Sequence, residues 1–409
     1  MPLDASGPRP TSERAIVFCV GAVQFVNILD FMIVMPLGPD FAKALGIPLS
    51  QLGYVGGSYT AAACVSGLAG AFFLDRFDRK KALGVTLAGL VLGTLAGAFA
   101  RGLGTLMLAR VVAGAFGGPA TSLSYSIVAD VIPIERRGKA MGAVMGAFSV
   151  ASVLGVPAGL ELARQGSWKM PFIAVALLGA VLGTFAQLVL PRMSGHLTRA
   201  RPRTAGEDIL RLLRPDVGVA LMTTFFVMAS GFVLIPNISA YLLGNLSYPR
   251  EHLGLLYLAG GVVSFFALRG GGRLVDRHGS ARVGTLGTLL VATAIYLGFI
   301  RSPPALPIMA IFVLFMIASG LRNVSLNTLM SRVPGAEERA RFSSMQSAVQ
   351  HLAASVAAFA AAQLLRELPG GRLEGIPTVA STAIALGALV VPLMWLVERR
   401  VKRKAASGG

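Results

Sequence analysis

Two charged stretches half a chain apart decide how this sequence folds: AFFLDRFDRKK at 71–81 and GGRLVDRHGSAR at 271–282. Aligning Asp75 with Asp276 sets them 201 positions apart, and the same register lays Arg76 on Arg277. Each stretch follows one long apolar run and precedes another. Counting outward from them, the 409 residues hold twelve apolar segments, near 15–37, 51–74, 82–100, 104–129, 139–162, 170–190, 217–243, 252–274, 283–300, 305–330, 342–365 and 376–397. A helix of about 20 mostly apolar residues crosses the hydrocarbon core of a bilayer, and these segments have about that length. With 54% of residues hydrophobic and only 14% charged, the chain lacks the polar surface of a soluble domain. An all-α membrane protein of twelve transmembrane helices is the fold this predicts.

A net charge of +18 would suit a nucleic-acid partner, so the placement of the 37 Lys and Arg decides. Most fall on one side of the alternating segments. They include Arg76, Arg79, Lys80 and Lys81 after the second segment, the group from Arg192 to Arg214 after the sixth, and Arg399 to Lys404 at the end. This is the positive-inside bias that orients insertion. It places both termini in the cytoplasm and leaves no need for nucleic acid. Residues 1–14 lack the short apolar core and small-residue cleavage site of a signal peptide, so the first span is expected to be retained. Cys19 and Cys64 both fall inside spans and indicate neither a disulfide framework nor a metal site.

The longest polar interruption, 191–216, divides the chain six spans from six. The organisation expected is a cytoplasmic tail at 1–14, a first bundle at 15–190, a linker at 191–216 with a short surface helix near 208–213, a second bundle at 217–397 and a basic tail at 398–409. Duplicated six-span halves are a transporter architecture, with the substrate held between the halves near the midplane.

On these residues the chain resembles the major facilitator superfamily, whose loop signature between the second and third spans reads roughly G-x-L-x-D-R-x-G-R-[RK]. The first copy keeps Asp75, Arg76, Arg79 and Lys80 but has Ala71 and Asp78 where glycines are usual; the second keeps Gly272, Leu274, Asp276, Arg277 and Gly279. LMLARVVAGAFGG at 106–118 looks like the family's R-x-x-x-G element with Arg110 as its arginine. GAVMGAFSVASVLGVPAGLEL at 142–162 looks like the element of the exporter branches, with Gly155, Pro157 and Gly159 in place of an adjacent Gly-Pro. The likeness is to the drug- and arabinose-efflux group of bacterial permeases. It implies a secondary exporter of the inner membrane, working as a monomer by alternating access on a drug or sugar-like molecule. The lysolipid-carrying Spinster-like members, which also have an acid in the first span, supply the alternative. The resemblance further implies that Asp75, Arg79 and Asp130 hold an inner gate, with Arg76, Asp276 and Arg277 as the other gating candidates.

Of the nineteen acids, only Asp30 lies well inside a span. A charge in the hydrocarbon core is costly, so such residues line a pathway or pair with a partner. Asp30 stands roughly 24 Å along the first span from Arg14, and Arg110 about 9 Å into the fourth from its opposite end, at 1.5 Å per residue. The two depths are compatible. Desolvation favours the protonated form of an embedded acid, while a nearby guanidinium favours the ionised form. Asp30 is thereby the candidate proton-coupling group and Arg110 its modulator. Gln24, Asn27 and Asp30 share a stripe about 120° wide, expected to face a cavity.

Further cavity candidates are Asn237 beside Pro236, Arg322, Asn323 and Asn327 in the tenth span, and Gln346 and Gln350, beside His351, in the eleventh. An interior arginine can grip an anionic group bidentately. Gly142, Gly146, Gly155 and Gly159 form small-x-x-x-small pairs for helix packing. No G-x-x-x-x-G-K-[ST] occurs, so ATP drive is not expected and the energy source implied is the proton gradient, with no cofactor. The four histidines are scattered, which argues against a metal centre or an enzyme.

Overall fold

The computed structural model describes residues 12–194, 214–301, 303–335 and 339–406, excluding the side chains at 71–73, 75, 129, 134–135, 137–138, 339–341 and 405–406. Among these residues twelve long helices follow in order. They are α1 Glu13–Val34, α2 Leu52–Phe73, α3 Arg79–Ala98, α4 Leu103–Val131, α5 from Ile134–Met145 to Val156–Gln165, and α6 Lys169–Val189. The second half has α7 Pro215–Gly244, α8 Leu253–His278, α9 Ser280–Ile300, α10 Ile308–Met330, α11 Arg339–Leu364 and α12 Ile376–Ala406. A small antiparallel hairpin, β1 Arg366–Leu368 with β2 Arg372–Glu374, joins α11 to α12 and is the one departure from an all-helical chain among the described residues. The expected 208–213 helix lies outside the described residues. The last helix runs past the expected end of its span at 397, because residues 398–406 contain no glycine or proline and Lys402 pairs with Glu398 one turn back at 3.2 Å.

Ten of these helices are long and apolar enough to cross a membrane by length and composition. The other two pack on each other between the two halves, α2 rich in Gly and Ala and α11 rich in Ala, Ser and Gln. Two of the spans are broken where proline removes a backbone donor. In α5 the turn before Pro157 widens into a π-turn at Ala151–Gly155, and in α7 a 3₁₀ turn at Ile235–Asn237 contains Pro236.

Helices approach closely where a side chain is missing. At Gly114 an added Cβ would overlap the Tyr59 backbone, and at Gly93 it would overlap the Ala113 backbone, so α4 lies directly on α2 and α3. In α5 only half of the expected glycine pattern packs this way. Gly155 and Gly159 seat Leu29 and Ile33 of α1, whereas Gly142 has nothing within 4 Å and Gly146 meets only its own turn. The i, i+4 spacing holds in both pairs, but side chains of α1 seat only against the second.

Contacts between the halves gather at the end opposite the termini, which we call the outer end from the Lys and Arg distribution. Gly53 of α2 abuts the Ala358 backbone of α11, and Gly57 abuts the Phe359 ring. Gly261 of α8 abuts Ser152 and Val153 of α5. Toward the inner end the same helices expose Val65, Leu68, Met145, Phe148, Phe266 and Leu352. The halves are therefore closed outside and apart inside. Replacing Gly114 with alanine is expected to cost about 1 to 3 kcal/mol through overpacking and to lower the unfolding temperature of the purified protein. Gly67→Ala, where the added Cβ meets nothing within 4 Å, should leave it unchanged.

Candidate functional site

Asp30 and Arg110 meet inside the first half. Arg110 donates from Nη1 to Asp30 Oδ1 and from Nη2 to Oδ2, both at 2.9 Å, and from Nη2 to the Asp30 carbonyl at 3.4 Å. Each side chain is 1% exposed. The Thr94 hydroxyl of α3 donates to Asp30 Oδ1 at 2.7 Å, and the guanidinium lies 4.6 Å over the Tyr59 ring of α2. A bidentate pair with a third donor and an aromatic face compensates two charges that alone could not reside at this depth. Thr94 and Tyr59 give the sequence little signal, since a threonine in a helix more often bonds its own turn, as Thr94 also does with Leu90.

The cavity face expected for Gln24 and Asn27 needs correction. Both are buried. Asn27 donates to the Gly117 carbonyl at 3.0 Å and to Thr121 at 2.7 Å, and accepts from the Tyr59 hydroxyl at 2.8 Å. The stripe is real, but it faces α2 and α4 because Gly117 leaves room for it there. The Gln24 Oε1 atom is buried without a hydrogen-bond partner. On the neighbouring face, Phe31 lies between Tyr59 and Phe232 of α7, with ring centroids 5.3 and 5.9 Å apart.

In the second half, Arg322 is buried and held by neutral oxygens alone, Nη1 on Ser230 Oγ at 3.0 Å and Nη2 on the Val227 carbonyl at 3.4 Å. No acid meets it among the described residues, and its Nε has no partner. Asn237 is fully buried at the α7 break with both amide atoms unpartnered. Asn323 is half-buried with an orphan oxygen, and Asn327 is exposed. Gln346 and Gln350 are half-buried on α11, and the neighbouring His351 ring bonds the Ser347 carbonyl at 2.8 Å.

At the inner end, Arg79 pairs with Asp130 through Nε at 3.1 Å. The Asp75 side chain lies outside the described residues. Arg76, Asp276 and Arg277 are exposed, and Asp276 and Arg277 form no ion pair among the described residues, as befits an end where the halves are apart. The unexpected Asp78 has a clear structural use. It caps α3, accepting from Lys81 N–H at 3.1 Å, and its other oxygen accepts from Met193 N–H just beyond α6 at 2.8 Å. In the second copy the same position is Gly279, and the carboxylate comes instead from Glu398 of α12, which accepts from Ala281 N–H at 3.0 Å. Each half thus ties the start of its third helix to the end of its sixth, with the acid moved from one partner to the other.

An outer latch went unread in the sequence. Arg250, at the entry to α8, pairs with Asp40 in the short helix Gly38–Leu45, with Nε to Oδ1 at 2.9 Å. Arg250 Nη2 also donates to the Leu160 carbonyl at 3.4 Å, Leu49 N–H bonds the Glu367 carboxylate and Gln363 bonds the Tyr54 hydroxyl, so four polar contacts bridge the halves there among the described residues. Basic residues are scarce on the outer side, and that scarcity was the available signal for Arg250.

Twelve long helices among the described residues, ten of them long and apolar enough to cross a membrane, form two like halves around buried charge, the architecture of a multi-pass membrane protein. The chain belongs to the Major Facilitator Superfamily, whose family model matches residues 20–358 and 220–409. It is similar to the purine ribonucleoside efflux pump NepI of Shigella sonnei and of Escherichia coli K12, 25% identical over 262 residues. That match covers 63% of this chain and 63% of those relatives, less than two thirds of their length. Among solved structures it resembles the D-xylose-proton symporter, with a TM-score of 0.75 at 18% identity over 93% of this chain and 97% of that one. A bacterial homologue of the lysosomal transporter Spinster, inward-facing and unoccupied, gives 0.74 at 14% over 97% and 99%. These likenesses establish the fold and a multi-pass membrane protein.

Two outcomes follow. Asp30→Ala should destabilise the purified protein by about 3 to 5 kcal/mol, since it strands a buried guanidinium, and Asp30→Leu with Arg110→Met should recover most of the loss in thermal unfolding. Asp40→Asn should weaken the outer closure by about two- to fivefold, the worth of a partly exposed pair. Spin labels at Lys43→Cys and Pro369→Cys would report it as a larger long-distance population.

Proposed function

We propose that this protein is a proton-coupled exporter of a small drug-, sugar- or nucleoside-like molecule in the bacterial inner membrane, working by alternating access as a monomer with both termini in the cytoplasm. The observation that carries this reading is the fully buried Asp30–Arg110 pair, saturated as a carboxylate in a state closed outside. Protonation of Asp30 removes an acceptor and leaves Arg110 uncompensated, so it disfavours this arrangement of α1, α2, α3 and α4 relative to another. Tyr59, which faces Arg110, is on α2, the helix that packs across the halves. A change in the pair therefore acts on the closure itself. The likeness to purine ribonucleoside efflux pumps supports outward transport and makes purine nucleosides the first compounds to test.

A second reading, a lysolipid carrier, draws on the apolar side chains of Met145, Phe148 and Phe266 exposed on α5 and α8, which would suit an acyl chain entering between the halves. The deciding experiment measures proton movement on substrate addition in reconstituted vesicles, across purine nucleosides, sugars, cationic drugs and lysolipids. Wild type is expected to exchange protons for one of the soluble classes. Asp30→Asn is expected to bind that compound yet lose uphill transport and its pH dependence, with net movement reduced about a hundredfold, at the lower end of what a positioned proton-transfer group contributes. Unchanged pH dependence in Asp30→Asn sinks the assignment; a response to lysolipids alone selects the second reading.

A further inference from the structure

At the inner end of the second half, the first turn of α7, the residues just after α10 and the last turns of α12 enclose a cleft of about 200 Å³. Its wall is apolar, formed by Val333, Val397 and Val401, and its rim is basic, formed by Arg400, Arg403 and Lys404. Helical spacing puts Val397, Arg400, Val401 and Lys404 on one face of α12. Arg399 and Lys402, equally basic, do not line it; both are exposed, and Lys402 pairs with Glu398. Positive-inside bias accounts for cations at this end in general, but not for cations set around an apolar-walled hollow.

Among the described residues the single acid of the lining is Asp216. It sits in the first turn of α7, where the helix dipole favours it and Arg214 Nε lies 3.8 Å away. Val397 closes the apolar part of α12 and Glu398 begins its charged part. The cleft therefore spans the level at which hydrocarbon gives way to headgroups. Its chemistry is that of an amphiphile with a negative head.

We propose that this cleft binds an anionic phospholipid of the inner leaflet, its phosphate held by Arg400 and Arg403 and its glycerol and upper acyl carbons against Val397 and Val401. The segment preceding α7 is an unsuitable occupant by charge, since residues 195–213 carry Arg199, Arg201, Arg203 and Arg211 against Glu207 and Asp208. A lipid seated here braces the start of α7 against α10 and α12, at the opposite end from the α7 break.

The test uses the full chain in nanodiscs of equal phosphatidylglycerol and phosphatidylcholine, with retained lipid counted by native mass spectrometry. Wild type is expected to retain phosphatidylglycerol over phosphatidylcholine by about tenfold or more, at roughly fivefold for each basic residue near the surface. Arg400→Gln with Arg403→Gln should bring the ratio near parity, while Arg400→Lys with Arg403→Lys retains most of it. Arg399→Gln with Lys402→Gln removes the same charge from outside the cleft and should leave the ratio unchanged. Equal loss in both glutamine pairs overturns the site in favour of diffuse surface charge. Displacement of the lipid by about 10 mM inorganic phosphate overturns it in favour of a small-anion site.

Discussion

A carboxylate and a guanidinium buried together in hydrocarbon are the constraint around which the first half is arranged. Neither charge is tolerable there alone, so α1 and α4 must bring Asp30 and Arg110 to the same depth and hold them in one geometry. Thr94 from α3 and the Tyr59 ring from α2 complete the enclosure. Four helices thereby converge on one ion pair. The glycines of α4 make the convergence feasible, because Gly114 and Gly117 let α2 and the Asn27 network come against it without a side chain between them.

The second half solves its own buried charge differently. Arg322 rests on the Ser230 hydroxyl and a backbone carbonyl, with no acid beside it among the described residues. The two halves share a frame and differ in what they put inside it. One holds a self-neutralised pair. The other holds a cation whose compensation is incomplete, together with an orphaned amide at the α7 break.

Much of this was legible in the chain. The helical membrane fold and the meeting of Asp30 with Arg110 follow from apolar length, charge placement and a rise per residue, and the family from a repeated Asp-Arg loop motif, all of which are one-dimensional features. What failed was direction. The period of three joins Gln24, Asn27 and Asp30 on one face, but nothing in α1 says whether a cavity or α4 receives that face. Gly142 and Gly146 carry the spacing of a packing motif, yet among the described residues no neighbouring helix comes within reach of a Cβ there. The Asp78 departure was visible as a departure. Its counterpart Glu398 was not, because the residue that replaces it in the second copy comes from the far end of another helix. Asp40 and Arg250 lie in loops 210 positions apart, where sequence gives no pairing rule.

The seam between α2 and α11 bears on how this chain can vary. Gly53 and Gly57 of α2 receive the Ala358 backbone and the Phe359 ring of α11, so one helix gives up side chains where the other supplies bulk. A larger residue at either glycine has no room unless α11 withdraws or shrinks opposite it. The two surfaces lie about 300 positions apart in the chain, yet a change in one is constrained by the other, and the contact that joins the halves is inherited as a pair.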